Sequence, residues 1–235
     1  MRDRMTVNAA KLLVGGRTID IYGEPGSANR FIQPVDEHDA SLLESEAREL
    51  FALCGHEDLC IAALPVASWN DDLTPWEAAP VFGKAGFGGG AEGTLRFILD
   101  EVMPALDGLS PGATRRYMLC GYSLAGLFAL WSAYRTDAFA GVGAASPSVW
   151  YPGWTDFAAS HEPVCRRIYL SLGDREERTK NRVMAAVGGA IRLQHERLVS
   201  AGVECALQWN EGNHFVNSEL RTAKAMAWLI KEENE

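Results

Sequence analysis

Residues 121–126, Gly-Tyr-Ser-Leu-Ala-Gly, constrain this chain more than any other segment. They lie between two apolar runs, 117–120 and 127–131, which predicts that a strand turns directly into a helix at Ser123. Such a turn leaves room only for Gly or Ala two residues on either side of the serine, and Gly121 and Ala125 stand there. The serine hydroxyl is then held in a strained conformation at the top of a sheet, which predicts a nucleophile. A Gly-capped turn around a buried serine is the alternative interpretation of this hexapeptide.

Elsewhere in the chain, strand-like and helix-like segments alternate. The predicted strands are 18–22, 31–35, 59–66, 117–120, 141–146, 167–172 and 205–209. Outside the segment that follows Ser123, the predicted helices are 42–53, 94–106, 181–200 and 220–230. This alternation predicts an α/β fold with a mostly parallel central sheet and helices on both faces. The chain has 235 residues and no obvious linker, so we expect one domain over residues 1–235.

The bulk composition narrows the classes of function. The net charge of -9 argues against partners such as nucleic acid or an anionic membrane surface. No apolar run approaches the length of a membrane span, and the first residues lack the apolar core of a signal peptide, so a cytoplasmic location is expected. The five cysteines include no C-x-x-C pair, and the Gly-rich residues 86–90 do not match a phosphate-binding loop. Neither a metal nor another cofactor is predicted.

A serine hydroxyl needs a general base to become a nucleophile, and the base needs an acid to orient it. When a nucleophile sits on this kind of turn, the acid and then the histidine follow it along the chain. His214 lies between the last predicted strand and the last predicted helix, where the base is expected. His161 precedes the strand that should supply the acid, and His195 lies on the polar face of a predicted helix.

The acid is expected in the loop after the strand 167–172. Three carboxylates follow that strand, and Glu176, three residues past Gly173, is the favoured candidate. Asp174 and Glu177 remain alternatives, because any of the three could be a solvated charge or a partner for a nearby arginine.

The developing negative charge of the reaction needs two backbone N–H donors. One is expected from Leu124, directly after the nucleophile, and the other from residues 36–38, with Glu37 as the central candidate. Trp69, Trp150 and Tyr151 follow predicted strands and are candidates for contacting a small-molecule substrate. Each aromatic side chain could instead pack its loop onto the body of the protein.

Four segments in order carry a resemblance to a known family. They are 121–128 (GYSLAGLF), 145–151 (ASPSVWY), 173–177 (GDREE) and 212–215 (GNHF). Together they resemble the putative-esterase (esterase D-like) branch of the α/β-hydrolases, and within it the ferric-siderophore esterases and their uncharacterised bacterial relatives. The resemblance implies hydrolysis of a carboxylic ester by Ser123 and His214. Some siderophore esterases work with a Ser–His pair alone, so the resemblance supports a catalytic role for Glu176 less than it supports the roles of Ser123 and His214.

The sequence thus predicts a serine esterase that acts on a small or medium ester through an acyl-enzyme. The acidic chain shows no arginine-rich patch suited to an anionic iron–catecholate, so the resemblance predicts the chemistry and leaves the substrate open. An acyltransferase that uses the same serine and histidine is one alternative. A binding protein without catalytic activity on the same scaffold is the other.

Overall fold

An eight-stranded sheet organises the protein. The computed structural model describes residue 7 and residues 9–56, 58–112 and 114–231. The strands in chain order are β1 Ala9–Val14, β2 Arg17–Gly23, β3 Asn29–Val35, β4 Cys60–Pro65, β5 Glu77–Ala78, β6 Phe87–Gly88, β7 Arg116–Tyr122, β8 Gly141–Ala145, β9 Arg167–Gly173 and β10 Glu204–Asn210. The order in the large sheet is β1-β2-β4-β3-β7-β8-β9-β10, while β5 and β6 form a separate pair. Six neighbouring strands of this sheet run parallel to one another, namely β4, β3, β7, β8, β9 and β10. Strand β2 pairs antiparallel with both β4 and β1. This arrangement confirms the mostly parallel sheet.

Helices cover both faces of this sheet. They are α1 Glu37–Cys54, α2 Trp69–Asp72, α3 Ala91–Phe97, α4 Met103–Gly108, α5 Ser123–Ser132, α6 Trp154–Ser160, α7 Arg182–Ala185, α8 Val187–Ser200 and α9 Ser218–Ile230. Successive residues of a strand point to opposite faces, and Phe31 and Ile32 of β3 accordingly enter two different apolar clusters. The Phe31 cluster includes residues of α1 and α9, whereas the Ile32 cluster includes residues of α5 and α8.

The observed elements differ from the predicted ones in several places. Strands β1, β5 and β6 and helices α2 and α6 were not predicted. Helix α1 begins at Glu37, before the predicted helix 42–53. The predicted helix 94–106 begins earlier, at Ala91, and a π-helical segment, Ile98–Val102, separates α3 from α4. The predicted helix 181–200 is divided at Ala186 into α7 and α8, and the Asn181 side chain caps the first of them. None of the helices in the described part of the chain is long and apolar enough to cross a membrane.

Parallel strands bring their carboxyl ends to one edge of the sheet. Strands β7, β9 and β10 end there at Tyr122, Gly173 and Asn210, and their register places β9 between β8 and β10. The segments that follow these strands carry Ser123, Glu176 and His214, so the topology brings distant parts of the chain together at this edge.

Candidate active site

The turn at Ser123 has the strained geometry that the sequence predicts. Ser123 is the first residue of α5 and has a φ of 57°. This value lies in the left-handed region, which residues other than glycine rarely adopt. A Cβ atom on Gly121 would lie 2.4 Å from the backbone carbonyl carbon of Ala125, so no other residue fits that position unless the turn shifts. Such backbone strain costs about 1–3 kcal/mol and persists only where the surrounding structure enforces it. Here the enforcing structure is a strand and a helix joined without a loop.

Three side chains form one continuous chain of hydrogen bonds at this turn. Nε2 of His214 lies 3.0 Å from Oγ of Ser123, and Nδ1 of His214 lies 2.7 Å from Oε2 of Glu176. An ionised carboxylate only accepts hydrogen bonds, so Nδ1 carries a proton and Nε2 of the neutral ring is free to accept the serine proton. The structure therefore brings together the three residues that the sequence singled out, in the order that proton transfer requires.

The surroundings of Glu176 keep its carboxylate ionised. Burial opposes the charge, but the hydrogen bond and charge of His214, with hydrogen bonds from Ser146 and the Gly173 amide, hold the pKa of Glu176 below its ordinary value. The Ser146 hydroxyl and the Gly173 amide both donate to Oε1 at 2.7 Å. Only Oε2 remains for His214.

The two alternative carboxylates serve other purposes. Oδ1 of Asp174 accepts a hydrogen bond from the Gly212 amide at 2.9 Å, so Asp174 supports the loop that carries His214 without contacting its ring. Glu177 faces Arg192 at 3.4 Å on the surface. Glu176 alone of the three reaches the imidazole.

Arg221 is a component of the site that the sequence did not identify. It lies in the first part of α9, is 1% exposed, and donates from Nη1 to Oε1 of Glu176 at 2.8 Å. A sequence signal did exist, because Arg221 shares one helix face with Ala225 and Leu229, four and eight residues on, and both are buried. A charged residue on the apolar face of a helix needs a buried partner.

Two backbone elements present free N–H groups near the serine. Within the described residues, the amides of Leu124, Glu37 and His38 have no hydrogen-bond partner. The expected loop at residues 36–38 is absent, because β3 leads through Asp36 directly into α1, whose first residue is Glu37. Glu37 does not line the cavity at Ser123, although its neighbours Asp36 and His38 do. The start of α1 thus offers the amides of Glu37 and His38 as candidates for the second donor.

Two cavities meet at His214 and Phe215. One, of about 160 Å³, contains Ser123 and is lined by Trp69. The other, of about 270 Å³, is lined by Trp150. These two tryptophans therefore border space that a substrate could fill.

Tyr151, the third predicted substrate contact, lies elsewhere. It is 2% exposed, lines neither of the two cavities at His214, and donates its hydroxyl to the carbonyl of Trp76 at 2.5 Å. Its ring packs edge-on against Phe87. Tyr151 thus holds the segment between α2 and α3 against the body of the protein, which corrects the prediction from the sequence.

Over the residues that the structure describes, no group of three or more His, Cys, Asp or Glu side chains is arranged to hold a metal ion.

Comparison with known families identifies the chain. The model of the family described as Putative esterase matches residues 60–215, which is more than half of the sequence. The chain belongs to the Putative esterase family. This assignment places the protein among carboxylic-ester hydrolases, and the matched range includes Ser123, Glu176 and His214. A comparison with curated proteins finds no match.

Solved structures show the same fold as this family member. The IroE-like serine hydrolase from Shewanella oneidensis is 18% identical with a TM-score of 0.68, over 95% of this chain and 79% of the other. The siderophore hydrolase EstB from Aspergillus nidulans is 16% identical with a TM-score of 0.68, over 97% and 96%. The enterobactin esterase FES from Shigella flexneri is 14% identical with a TM-score of 0.66, over 96% and 59%. At these identities the likeness establishes the α/β-hydrolase fold of this esterase.

Proposed function

We propose that this esterase hydrolyses a small or medium carboxylic ester through a covalent acyl-enzyme on Ser123. The observation that carries the proposal is the 3.0 Å approach of Nε2 of His214 to Oγ of Ser123, with the opposite ring nitrogen held by Glu176. A hydroxyl on a strained turn, within reach of an oriented base, is the arrangement that nucleophilic catalysis requires.

In the first half of the reaction, Oγ of Ser123 attacks the ester carbonyl carbon while Nε2 of His214 takes the hydroxyl proton. The carbonyl π electrons move onto the oxygen, and the Leu124 amide, with an amide from the start of α1, donates hydrogen bonds to this oxyanion. The oxyanion then collapses, the bond to the alcohol oxygen breaks, and the leaving alkoxide takes the proton from His214.

In the second half, water replaces the alcohol. His214 takes a proton from the water as its oxygen attacks the acyl carbon, and the resulting oxyanion uses the same amides. Collapse releases the carboxylic acid and returns the proton to Ser123. Glu176 stays ionised throughout and stabilises the positive charge that His214 carries in each transition state.

The two cavities bear on the size of the substrate. Their volumes of about 160 and 270 Å³ suit groups of modest size on either side of the scissile bond. The larger cavity has apolar walls at Trp150, Met184 and Val187, and exposed Phe215 borders both cavities. These walls favour an ester with an apolar or aryl group.

Turnover of p-nitrophenyl acetate tests this function. Ser123→Ala should remove the activity, while Ser132→Ala is the matched control, because Ser132 is a buried serine on the same helix whose hydroxyl donates to the Phe128 carbonyl. A fluorophosphonate probe should label the wild type and the control and leave Ser123→Ala unlabelled. Equal turnover by the wild type and Ser123→Ala would refute the proposal.

A further inference from the structure

We infer that Arg221 is a positioning residue that joins the acid and the loop of the base into one unit. This inference rests on the proposed function, because it assigns Arg221 to the same site. The hydrogen bonds that Arg221 donates go to neither Ser123 nor the ring of His214. It acts through the groups that hold Glu176 and the segment 211–214.

One arm of the guanidinium binds the acid side. Nη1 lies 2.8 Å from Oε1 of Glu176, 3.1 Å from the hydroxyl of Ser146 and 3.1 Å from the hydroxyl of Tyr122. With the Gly173 amide and the Ser146 hydroxyl, this arm brings three donors to Oε1. Because Oε1 is thus fully occupied, Oε2 is directed to His214.

The other arm binds the base side. Nη2 donates to the carbonyl of Asn213 at 2.9 Å and to that of Glu211 at 3.2 Å, both in the loop that carries His214. Tyr122 adds a third support, because its hydroxyl donates to the carbonyl of His214 at 2.7 Å while its oxygen accepts from Arg221. Burial raises the pKa of Tyr122 to about 12, so this hydroxyl keeps its proton. The backbone on both sides of the catalytic imidazole is therefore bound to one guanidinium or its partner.

The fold makes space for this guanidinium. A Cβ atom on Gly173 would lie 2.9 Å from Nη2 and 2.4 Å from the carbonyl oxygen of Gly212, so only glycine lets β9, the loop and Arg221 meet. The three contacts of Nη1 and the two of Nη2 also require a planar guanidinium with two separate nitrogens. The ammonium of a lysine has one nitrogen and cannot bind Glu176 and both loop carbonyls together.

The chain offers a matched control in Arg30. It is also fully buried, and it donates to the carbonyls of Ser27 and Pro25 and to the hydroxyl of Tyr117. It lies near the amino end of β3, at the edge of the sheet opposite to the candidate site. Replacing Arg30 removes a buried guanidinium with a similar set of partners and leaves the site intact.

The experiment compares Arg221→Met, Arg221→Lys and Arg30→Met with the wild type. We measure kcat and KM for p-nitrophenyl acetate, and the far-downfield proton resonance of Nδ1–H of His214 by NMR, with folding checked by circular dichroism. Misplaced catalytic groups can lower a rate about 100-fold, so Arg221→Met should lose about that factor in kcat with KM changed less than about threefold. Arg221→Lys should lose about 10-fold, because it keeps the charge and loses the planar guanidinium. Both should weaken or lose the resonance, and Arg30→Met should keep kcat and the resonance.

Each outcome bears on the inference. Wild-type kcat and resonance in Arg221→Met overturn it, and so does an equal loss in Arg30→Met, which would show a general effect of removing a buried arginine. If Arg221→Met does not fold, the Arg221→Lys variant tests the inference instead. A wild-type kcat in Arg221→Lys would overturn the inference, because it would show that the planar guanidinium is not required.

Failure of the proposed function would be visible separately. If wild type and Ser123→Ala turn over ester equally, that function is wrong. The His214 resonance would still show whether Arg221 joins acid and base.

Discussion

Oε2 of Glu176 accepts a hydrogen bond from Nδ1 of His214 at 2.7 Å, while Oε1 of the same carboxylate accepts from three other donors. The two oxygens of Glu176 thus have separate roles. One is anchored to the buried framework, and the other determines which nitrogen of His214 carries the proton. The relationship connects β9, through its following turn, to the loop after β10.

Glu176→Gln should lower kcat by about 10³-fold or more, because an amide in this place can stabilise the wrong tautomer and carries no charge to balance the imidazolium. Steady-state kinetics with p-nitrophenyl acetate measures the loss. Glu177→Gln is the control, since Glu177 pairs with Arg192 at the surface and should keep activity within about twofold. A loss of less than about 10-fold in Glu176→Gln would indicate that Ser123 and His214 act as a pair without the acid.

Gly121→Ala should destabilise the fold, because its Cβ would lie 2.4 Å from the backbone of Ala125. Overpacking of this kind costs about 1–3 kcal/mol, and the turn has no room to relax. Ala125→Gly, at the equivalent position after the serine, should cost only about 1 kcal/mol through helix propensity. Urea unfolding of the two variants tests the difference. Equal stabilities for the two variants would contradict the close approach.

Asp39 should make stability depend on pH. Burial, and then the nearby charge of Asp36, raise the pKa of Asp39 from 3.8 to about 6. The native state therefore binds this proton more tightly than the unfolded state, so the contribution to stability is complete below pH 3.8 and is lost as the pH rises through about 6.

Asp39→Asn removes this dependence. Relative to the wild type, the variant should gain up to about 2 kcal/mol in the free energy of unfolding at pH 7.5 and gain nothing at pH 3.5. Chemical denaturation at both pH values measures the gain. Asp100→Asn, at an exposed position, should show no such difference, and a gain at pH 3.5 equal to that at pH 7.5 would contradict the prediction.

Phe215→Ala should raise KM for aryl esters and leave kcat nearly unchanged. Phe215 borders both cavities and is 87% exposed, so its ring is accessible to a substrate there and does not support the core. Loss of an aromatic contact of about 1 kcal/mol corresponds to a change of about fivefold in KM. Leu13→Ala, which removes another exposed apolar side chain far from the site, is the control. An unchanged KM in Phe215→Ala would place the aryl group elsewhere.

Much of the fold was predictable because its signals are local. Apolar runs alternating with helical patterns predict a mostly parallel sheet, and all seven predicted strands coincide with observed ones. The boundaries were harder. A π-helical segment, Ile98–Val102, interrupts the predicted helix 94–106, and the period of the apolar residues does not report such an interruption.

The turn at Ser123 was determined by the sequence itself, since its constraint acts between neighbouring residues: Gly121 and Ala125 are small because a strand and a helix meet within a few ångströms. The chain order of Ser123 and His214 was likewise readable, because parallel strands send their following loops to one edge. Only the tertiary structure decided that Glu176, among three adjacent carboxylates, reaches His214, that Arg221 holds both, and that Tyr151 is buried away from the site. Those outcomes depend on distances between side chains on different strands and helices, and nothing in the local sequence encodes a direction across the sheet.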